Sequence, residues 1–454
     1  MFLLFLISHI SIINSELLFV FEHFRHGARG PWENVNVSTG KDILNETWNG
    51  LGELTGPGMR MHYLGGYADK KRYEKFINFT KYNKNEFMIF STLLNRTILS
   101  AYAHLIGMYS INSGNQLNKE QMKFSRVSYW NYSKEIEEKI NQLNYYSIEE
   151  GLTLFPINVI NPKDRLIRLD KSNVCPYSDI VKKENIIIGK YNKTIEKFVK
   201  DFNELYMNPF KKVLNKNEEY FKIFKNIYYI SDAFISLYFD DREMKELKNE
   251  KLIFEEFYKF ALNVSFFYTF NQTFRGDDKD ILAIIGMSPT FSKIIHWMDK
   301  RIELHKKNQS NLIKDNSPKM VFLSAHDSTL AAQSIFLNRI FKIPYEETTF
   351  AASVQFELEF FNDKNEYIVN YIFNGVKKES FNYDKFVDTI KKNIKSEKEI
   401  NDFCDNKKTG TDFWFIYMLV ILVFIFVMII LLVLNPFGGK KESSYITDYR
   451  LESD

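Results

Sequence analysis

Cysteine is almost missing from this chain: 454 residues contain two, Cys175 and Cys404, which leaves room for at most one internal disulfide. An excess of charge of either sign is missing too. Lys and Arg number 60 against 57 Asp and Glu, a formal net charge of +3, so nothing points to nucleic acid or to a generally acidic partner. The chain shows no tandem repeat and no long Pro/Gly/Ser linker, which removes solenoids and strings of tethered modules from consideration. No carboxylate-rich cluster with metal-ligand spacing stands out. What is present is length enough for one large domain or two ordinary ones, with a sizeable core. There is also an abundance of Phe, Tyr, Asn, Lys and Ile that reads as compositional bias.

The two ends carry topological signals. Met1 to Ile13 is mostly apolar and Ser15, a small residue, follows. Residues 1–15 fit a secretory signal peptide without the usual basic start, a buried first strand or helix being the alternative. Phe413 to Leu434 is a 22-residue run without a charged or strongly polar residue, and at ~1.5 Å rise per residue it can cross a ~30 Å hydrocarbon layer. The two together predict a single-pass type I membrane protein: a lumenal or extracellular body, a stalk over 401–412, a transmembrane helix over 413–434 and a cytoplasmic tail over 435–454. Lysosome, phagosome and cell surface are all open as destinations. The flanking pairs Lys407-Lys408 and Lys440-Lys441 balance each other, so the orientation rests on the signal peptide. An even pair of cysteines in an exported body reads as one disulfide, with two buried thiols as the alternative. Sequons begin at Asn36, Asn45, Asn78, Asn131, Asn192, Asn263, Asn271 and Asn308, consistent with a glycoprotein.

Inside the body, three short apolar runs end in polar clusters. Leu17 to Phe21 leads into Glu22-His23-Phe24-Arg25-His26-Gly27, and Phe87 to Phe90 leads into Ser91-Thr92 and a helical pattern holding Arg96. Met320 to Leu323 leads into Ser324-Ala325-His326-Asp327 and a further helix-like stretch. Such runs suit strands buried on both faces, each followed by a helix, which is the grammar of a parallel sheet. Ligands in these sheets bind beyond the carboxyl ends of the strands, so the three clusters are expected to share one site. Ser353 to Phe360 alternates, Asn362-Asp363-Lys364-Asn365 makes a turn, and Tyr367 to Phe373 returns: an antiparallel hairpin at a sheet edge. Helical spacing dominates between about 110 and 280, as in Ile195, Phe198, Phe202, Leu205 and Tyr206. The predicted architecture is α/β: a mainly parallel central sheet flanked by helices, with an antiparallel edge hairpin, over 16–110 and 281–400, and a mainly helical cap inserted over 111–280.

The sharpest chemical signal is Arg25-His26-Gly27-Ala28-Arg29-Gly30-Pro31. Two guanidiniums flank one imidazole at a strand end, and a glycine lets the backbone approach closely. Guanidinium forks match phosphate oxygens, and their charge disfavours an imidazolium, leaving His26 neutral and nucleophilic. An exposed basic turn is the plain alternative. Other histidines are weaker candidates: His62 and His104 fall in apolar helical patterns that suit packing, and His23 sits on the strand itself.

The motif resembles Arg-His-Gly-x-Arg-x-Pro, the signature of the histidine acid phosphatases. Gly50 to Thr55 and Gly58 to Gly65 are similar to the segment that follows it in the lysosomal and prostatic members. Ser91-Thr92 with Asn95-Arg96-Thr97, Phe155-Pro156-Ile157, Cys175-Pro176 and Ser324-Ala325-His326-Asp327-Ser328-Thr329 resemble later segments in the same order, over about residues 17 to 404. The resemblance implies an acid phosphatase that hydrolyses phosphate monoesters through a phosphohistidine on His26. Arg25, Arg29, Arg96 and His326 would hold the phosphoryl oxygens, and Asp327 would protonate the leaving alcohol. It also supports a Cys175–Cys404 disulfide. No cofactor or metal is implied. The substrate would be a small phosphate monoester or a phosphoprotein, and a homodimer is left open. Leu93 and Asn95 stand where the family has acidic residues, which implies altered support around Arg96. A phytase or inositol-phosphate phosphatase of the same superfamily is the alternative enzyme. A catalytically silent surface glycoprotein is the alternative from another class.

Overall fold

The structure is a computed structural model that describes residues 15–33, 50–126, 131–161, 175, 192–240, 254–269, 281–307, 317–405, 417–419 and 421–427. It falls into two units, 1–404 and 405–454. In the first unit, seven strands form one sheet in the order β3-β2-β4-β1-β5-β6-β7. They are β1 (Ser15–Arg25), β2 (Phe87–Thr92), β3 (Asn158–Ile160), β4 (Met320–Ala325), β5 (Ser353–Phe361), β6 (Glu366–Phe373) and β7 (Val376–Asn382). β1–β4, β2–β4 and β2–β3 are parallel, whereas β1–β5, β5–β6 and β6–β7 are antiparallel. A mainly parallel half therefore joins a meander.

Each apolar run became a strand because it is covered on both sides. One face of the sheet packs on α10 (Ile281–Lys306) and α11 (Asp327–Phe341) through Phe21, Val321, Leu323, Phe291 and Phe336. The other face packs on α1 (Gly56–Tyr73) and α2 (Asn95–Met108) through Val20, Phe24, Phe322, Leu105 and Tyr109. Helix α10 is apolar and long enough to cross a membrane by length and composition, but 72% of its most apolar window is buried inside the protein. It is a core helix.

The stretch 111–280 is mostly helical among the described residues: α3 (Lys119–Phe124), α4 (Lys134–Leu143), α5 (Asn192–Leu205), α6 (Met207–Leu214), α7 (Glu218–Phe221), α8 (Phe224–Phe239) and α9 (Phe254–Phe267). The last five share an aromatic core built on Phe202, Phe210, Phe221, Phe234 and Phe257, which also takes in Ala28 from the loop after β1 and Phe350 from the loop before β5. The stretch is not wholly a cap, because β3 lies within it and extends the sheet beside β2.

The hairpin expected at 353–373 is β5–β6, paired from Val354↔Phe373 to Phe361↔Glu366. It is extended by β7, which the sequence reading did not include. The β6–β7 connection is Asn374-Gly375, with both residues at positive φ (48° and 76°), as a two-residue primed turn requires. The chain ends its first unit with α12 (Tyr383–Lys391) and α13 (Glu397–Cys404). Cys404 is bonded to Cys175, with Cα atoms 4.4 Å apart. The pair is buried against Ile285 and Ile400. In the second unit an exposed apolar helix runs over Tyr417–Val427. The rest of the span expected over 413–434, the tail expected over 435–454 and the residues before Ser15 of the expected signal peptide lie outside the described residues.

Candidate active site

Registers Arg25↔Ala325 and Ser91↔Ser324 put the carboxyl ends of β1, β4 and β2 side by side. His26 follows β1 directly, Arg96 is the second residue of α2, and His326 caps α11, whose first residue is Asp327. Two helix N-termini thus open at the same sheet edge, where their dipoles favour an anion.

The loop after β1 lies flat on the start of α1. Ala28 O accepts from both the backbone N–H (3.0 Å) and the hydroxyl (3.0 Å) of Thr55, the residue that caps α1. A Cβ on Gly27 would overlap the Gly58 carbonyl, and one on Gly58 would overlap that of Ala28, so two glycines allow the contact. Gly27 N donates to Ser100 Oγ (3.1 Å) and His62 Nε2 donates to Arg25 O (2.9 Å). His62 is thereby a buried positioning group.

His26 is buried, and its Nδ1 lies 2.9 Å from Gly27 O. A carbonyl only accepts, so Nδ1 carries the proton and Nε2 keeps its lone pair. Burial, followed by the charges of Arg96 and Arg25 and by His326 and Arg29, holds the imidazole well below its ordinary pKa. The neutral form is thereby favoured. The His326 ring stands edge-on to it at 5.6 Å. His326 Nε2 is 3.0 Å from Thr92 Oγ1, which in turn meets Thr97 Oγ1 at 2.8 Å.

Three guanidiniums surround the imidazole. Arg25 donates to Thr348 O (2.7 Å), pairs with Asp327 Oδ2 (2.9 Å) and lies 4.3 Å above the Phe350 ring. Arg29 makes a two-pronged pair with Asp232, at 2.7 and 3.1 Å. Arg96 donates to Gly52 O (3.3 Å) and stacks over Trp32 (5.1 Å). Among the described residues, Nε of Arg25 and of Arg29 is buried without a hydrogen-bond partner, an arrangement that suits an incoming oxyanion.

Asp327 is the more accessible member, its side chain 26% exposed. Oδ1 accepts from Ser328 N (2.7 Å). Burial pushes its pKa up, but Arg25, Arg29, the Ser328 N–H and Arg96 together hold it below the ordinary carboxylate value.

All six residues singled out by the sequence (Arg25, His26, Arg29, Arg96, His326 and Asp327) therefore meet at one sheet edge. Leu93 and Asn95 are exposed, Asn95 reaching Glu53 Oε1 at 3.3 Å. His23 is buried, bonded to Gln333 (2.7 Å) and lowered to about 4 by burial. The reading missed Asp232 on α8, which also accepts from Trp32 N (2.8 Å). It also missed Thr348 and Phe350 on the loop before β5. Asp232 had a signal of its own, a lone acid between apolar turns of a helix.

The family model described as histidine phosphatase superfamily (branch 2) matches residues 16–374. Prostatic acid phosphatase of Homo sapiens is 37% identical over 110 residues, 24% of this chain and 28% of that protein. Lysosomal acid phosphatase of Homo sapiens is 37% identical over 103 residues, 22% and 23% of the two chains. The chain thus spans about a quarter of the length of these relatives. Among solved structures, the phytase of Citrobacter braakii superposes with a TM-score of 0.53 at 14% identity, covering 84% of this chain and 98% of its own. That of Klebsiella sp. ASR1 gives 0.54 at 12%, covering 84% and 97%. At such identities the likeness is one of fold.

Proposed function

Because the chain belongs to branch 2 of the histidine phosphatase superfamily, we propose that it is an acid phosphatase that hydrolyses phosphate monoesters through a phosphohistidine on His26. The observation that carries this is the tautomer: Gly27 O fixes the proton on Nδ1, and a neutral Nε2 is left facing a ring of guanidiniums.

In the first step the Nε2 lone pair attacks phosphorus and the P–O bond to the alcohol breaks. Asp327, protonated, gives its proton to the departing oxygen. Arg25, Arg29, Arg96 and His326 hold the equatorial oxygens, where charge is spread in the transition state. In the second step water attacks phosphorus, the N–P bond breaks, and the Asp327 carboxylate takes the water's proton. His26 returns to its starting state and phosphate leaves.

The cleft beside Asp327 is lined by Ile235, Phe239, Leu262, Phe266 and Phe350, together with the carboxylates of Asp232 and Glu347. Arg25 is the only basic residue among the described residues lining it. The cavity borders Arg25 and Asp327 but not His26; the likeness to prostatic and lysosomal acid phosphatases is what favours a simple monoester over a polyphosphorylated inositol. The test is an assay of the purified chain on 4-nitrophenyl phosphate and on phytate, beside His26→Ala. The expected result is turnover of the aryl ester, slow or no turnover of phytate, and an acid-labile, alkali-stable phosphoenzyme that the variant lacks. Full activity in His26→Ala would end the proposal.

The helix over Tyr417–Val427 belongs to an apolar run long enough to anchor the body in a membrane. With the amino-terminal signal segment and the disulfide, this supports a type I protein with the site in a lumenal or external compartment. The sequon residues Asn78, Asn131 and Asn263 are exposed, as glycan attachment requires. Protease protection of the body in sealed vesicles, set against release of the tail, tests the orientation.

A further inference from the structure

Behind the nucleophile loop, on the α1–α2 face of the sheet, four polar side chains from four elements meet: Glu22 of β1, Asp69 of α1, His104 of α2 and Gln355 of β5. All four are buried. The ligand atoms of Glu22, Asp69 and His104 lie within 4.8 Å of one another. His104 Nε2 is 3.0 Å from Asp69 Oδ2 and 4.0 Å from Glu22 Oε2. Gln355 donates its amide nitrogen to Asp69 Oδ1 (2.9 Å), which fixes the orientation of the amide. Its Oε1 and Glu22 Oε2 are buried without a hydrogen-bond partner among the described residues, and His104 Nε2 faces the Asp69 carboxylate.

A buried polar atom left unsatisfied costs about 1–3 kcal/mol, and here two fall side by side. Bringing two carboxylates together in the core adds repulsion. A bound cation removes both difficulties at once, because the carboxylate oxygens and an imidazole nitrogen are electron-pair donors. The distances fit. With metal–ligand bonds of about 2.0–2.2 Å, neighbouring donors on one ion stand roughly 3.0–3.5 Å apart. The 3.0 Å pair already meets that value, and a shift of about half an ångström brings in the 4.0 Å pair. One imidazole among oxygens favours a transition-metal ion of the zinc or manganese kind over calcium or magnesium. The four side chains also line one cavity of about 290 Å³, whose wall includes the exposed Asn374-Gly375 turn, which supplies an entry path.

We propose that Glu22, Asp69 and His104 form a buried binding site for one divalent transition-metal ion, with the Gln355 amide holding Asp69 in place. The ion ties β1, α1 and α2 together directly behind the site. Phe24, one residue before Arg25, stacks on the His104 ring with centroids 4.9 Å apart. His62, on the same helix as Asp69, holds the Arg25 carbonyl. The ion's place is therefore to stiffen the platform of the nucleophile loop, without touching substrate.

The test uses the full-length chain in detergent, stripped with a chelator, loaded with Zn²⁺ and desalted. Elemental analysis is expected to find one zinc per chain, unchanged in His26→Ala and in the presence of inorganic phosphate. Glu22→Gln and His104→Gln are expected to bind at least about tenfold more weakly. Where those variants do not fold, X-ray absorption of the zinc-loaded wild type decides, with an N/O shell containing one imidazole expected. No retained zinc in the wild type, undiminished binding by the folded variants, or a shell without imidazole overturns the proposal.

Discussion

Asp327→Asn isolates the proton delivered to the leaving group. The substitution keeps the side-chain volume and one acceptor oxygen, which can serve Ser328 N (2.7 Å to Oδ1) or Arg25 (2.9 Å to Oδ2) but not both, and it removes the acid. General acids of this kind contribute about 10²–10⁴ in rate, or about 3–5 kcal/mol of barrier. For an alkyl phosphate, whose alkoxide leaves poorly, the full loss in kcat is expected. For 4-nitrophenyl phosphate, whose phenoxide needs little help, the first-turnover burst should slow at least tenfold less. The pH profile supplies the sign. Burial raises the Asp327 pKa, but Arg25, Arg29, the Ser328 N–H and Arg96 bring it below the ordinary 3.8. Even at 3.8 only about 6% of the carboxyl would be protonated at pH 5, and under about 0.1% at pH 7. The acid form therefore grows as pH falls, and the negative charge of a bound phosphate opposes the arginines and enlarges it. The wild-type rate on alkyl phosphates should rise toward acid, and Asp327→Asn should flatten that rise. Stopped-flow bursts on both esters between pH 4 and 8 measure it. Equal losses on the two substrates, or an acid limb that survives the substitution, would refute Asp327 as the proton donor.

Asp232→Ala strips Arg29 of a two-pronged partner when both side chains are under a tenth exposed, so a loss on the order of 3–5 kcal/mol in stability is expected. Asp232→Asn should lose less, and urea melts compare them; unchanged midpoints would show the pair to be dispensable. Gly27→Ala drives a methyl into the Gly58 carbonyl, and the displaced loop should cost about 10²-fold in kcat/KM, read on an aryl phosphate with the fold checked by circular dichroism. His23 and His62 are buried neutral, lowered to about 4 and about 3 from 6.5. The unfolded chain takes up their protons first as pH falls, so stability drops from pH 6.5 down through each folded value. At pH 5 each contributes a loss of about 2 kcal/mol relative to neutral pH. Urea midpoints at pH 7 and pH 5 test this, and His62→Gln should weaken the dependence.

How far the sequence could be read depended on whether a feature is local. The strands β1, β2 and β4 were legible because each is a short apolar run covered on both faces, and the β5–β6 hairpin because it alternates about a turn. β3 was not, being three residues with only Ile160 buried. β7 is almost wholly exposed and polar, so no hydrophobic pattern marks it, although Asn374-Gly375 before it is a hairpin signal that stood in plain view. The six candidate residues were legible because each lies at or just after a strand end, and parallel strands bring such ends together whatever lies between them. Asp232 and the Glu22, Asp69 and His104 group are of another kind. Their neighbours in the chain do not explain them. An acid within an apolar helix, as Asp232 is among Ile230, Ala233 and Phe234, is costly to bury unless paired. The sequence therefore implies a cationic partner without saying which of 60 Lys and Arg residues it is. Only the fold selects Arg29. The same logic applies to Glu22. Set between Phe21 and His23 on a fully buried stretch of strand, it demands a proton, a counter-charge or an ion. Arg72, the nearest arginine on α1, is already taken by Glu357 at 2.6 Å. What else faces Glu22 is the Asp69 carboxylate, the His104 imidazole and the Gln355 amide; burial and Asp69 hold the Glu22 pKa well above its ordinary value, so the group takes up a proton when no cation is bound and gives it up when the proposed ion binds.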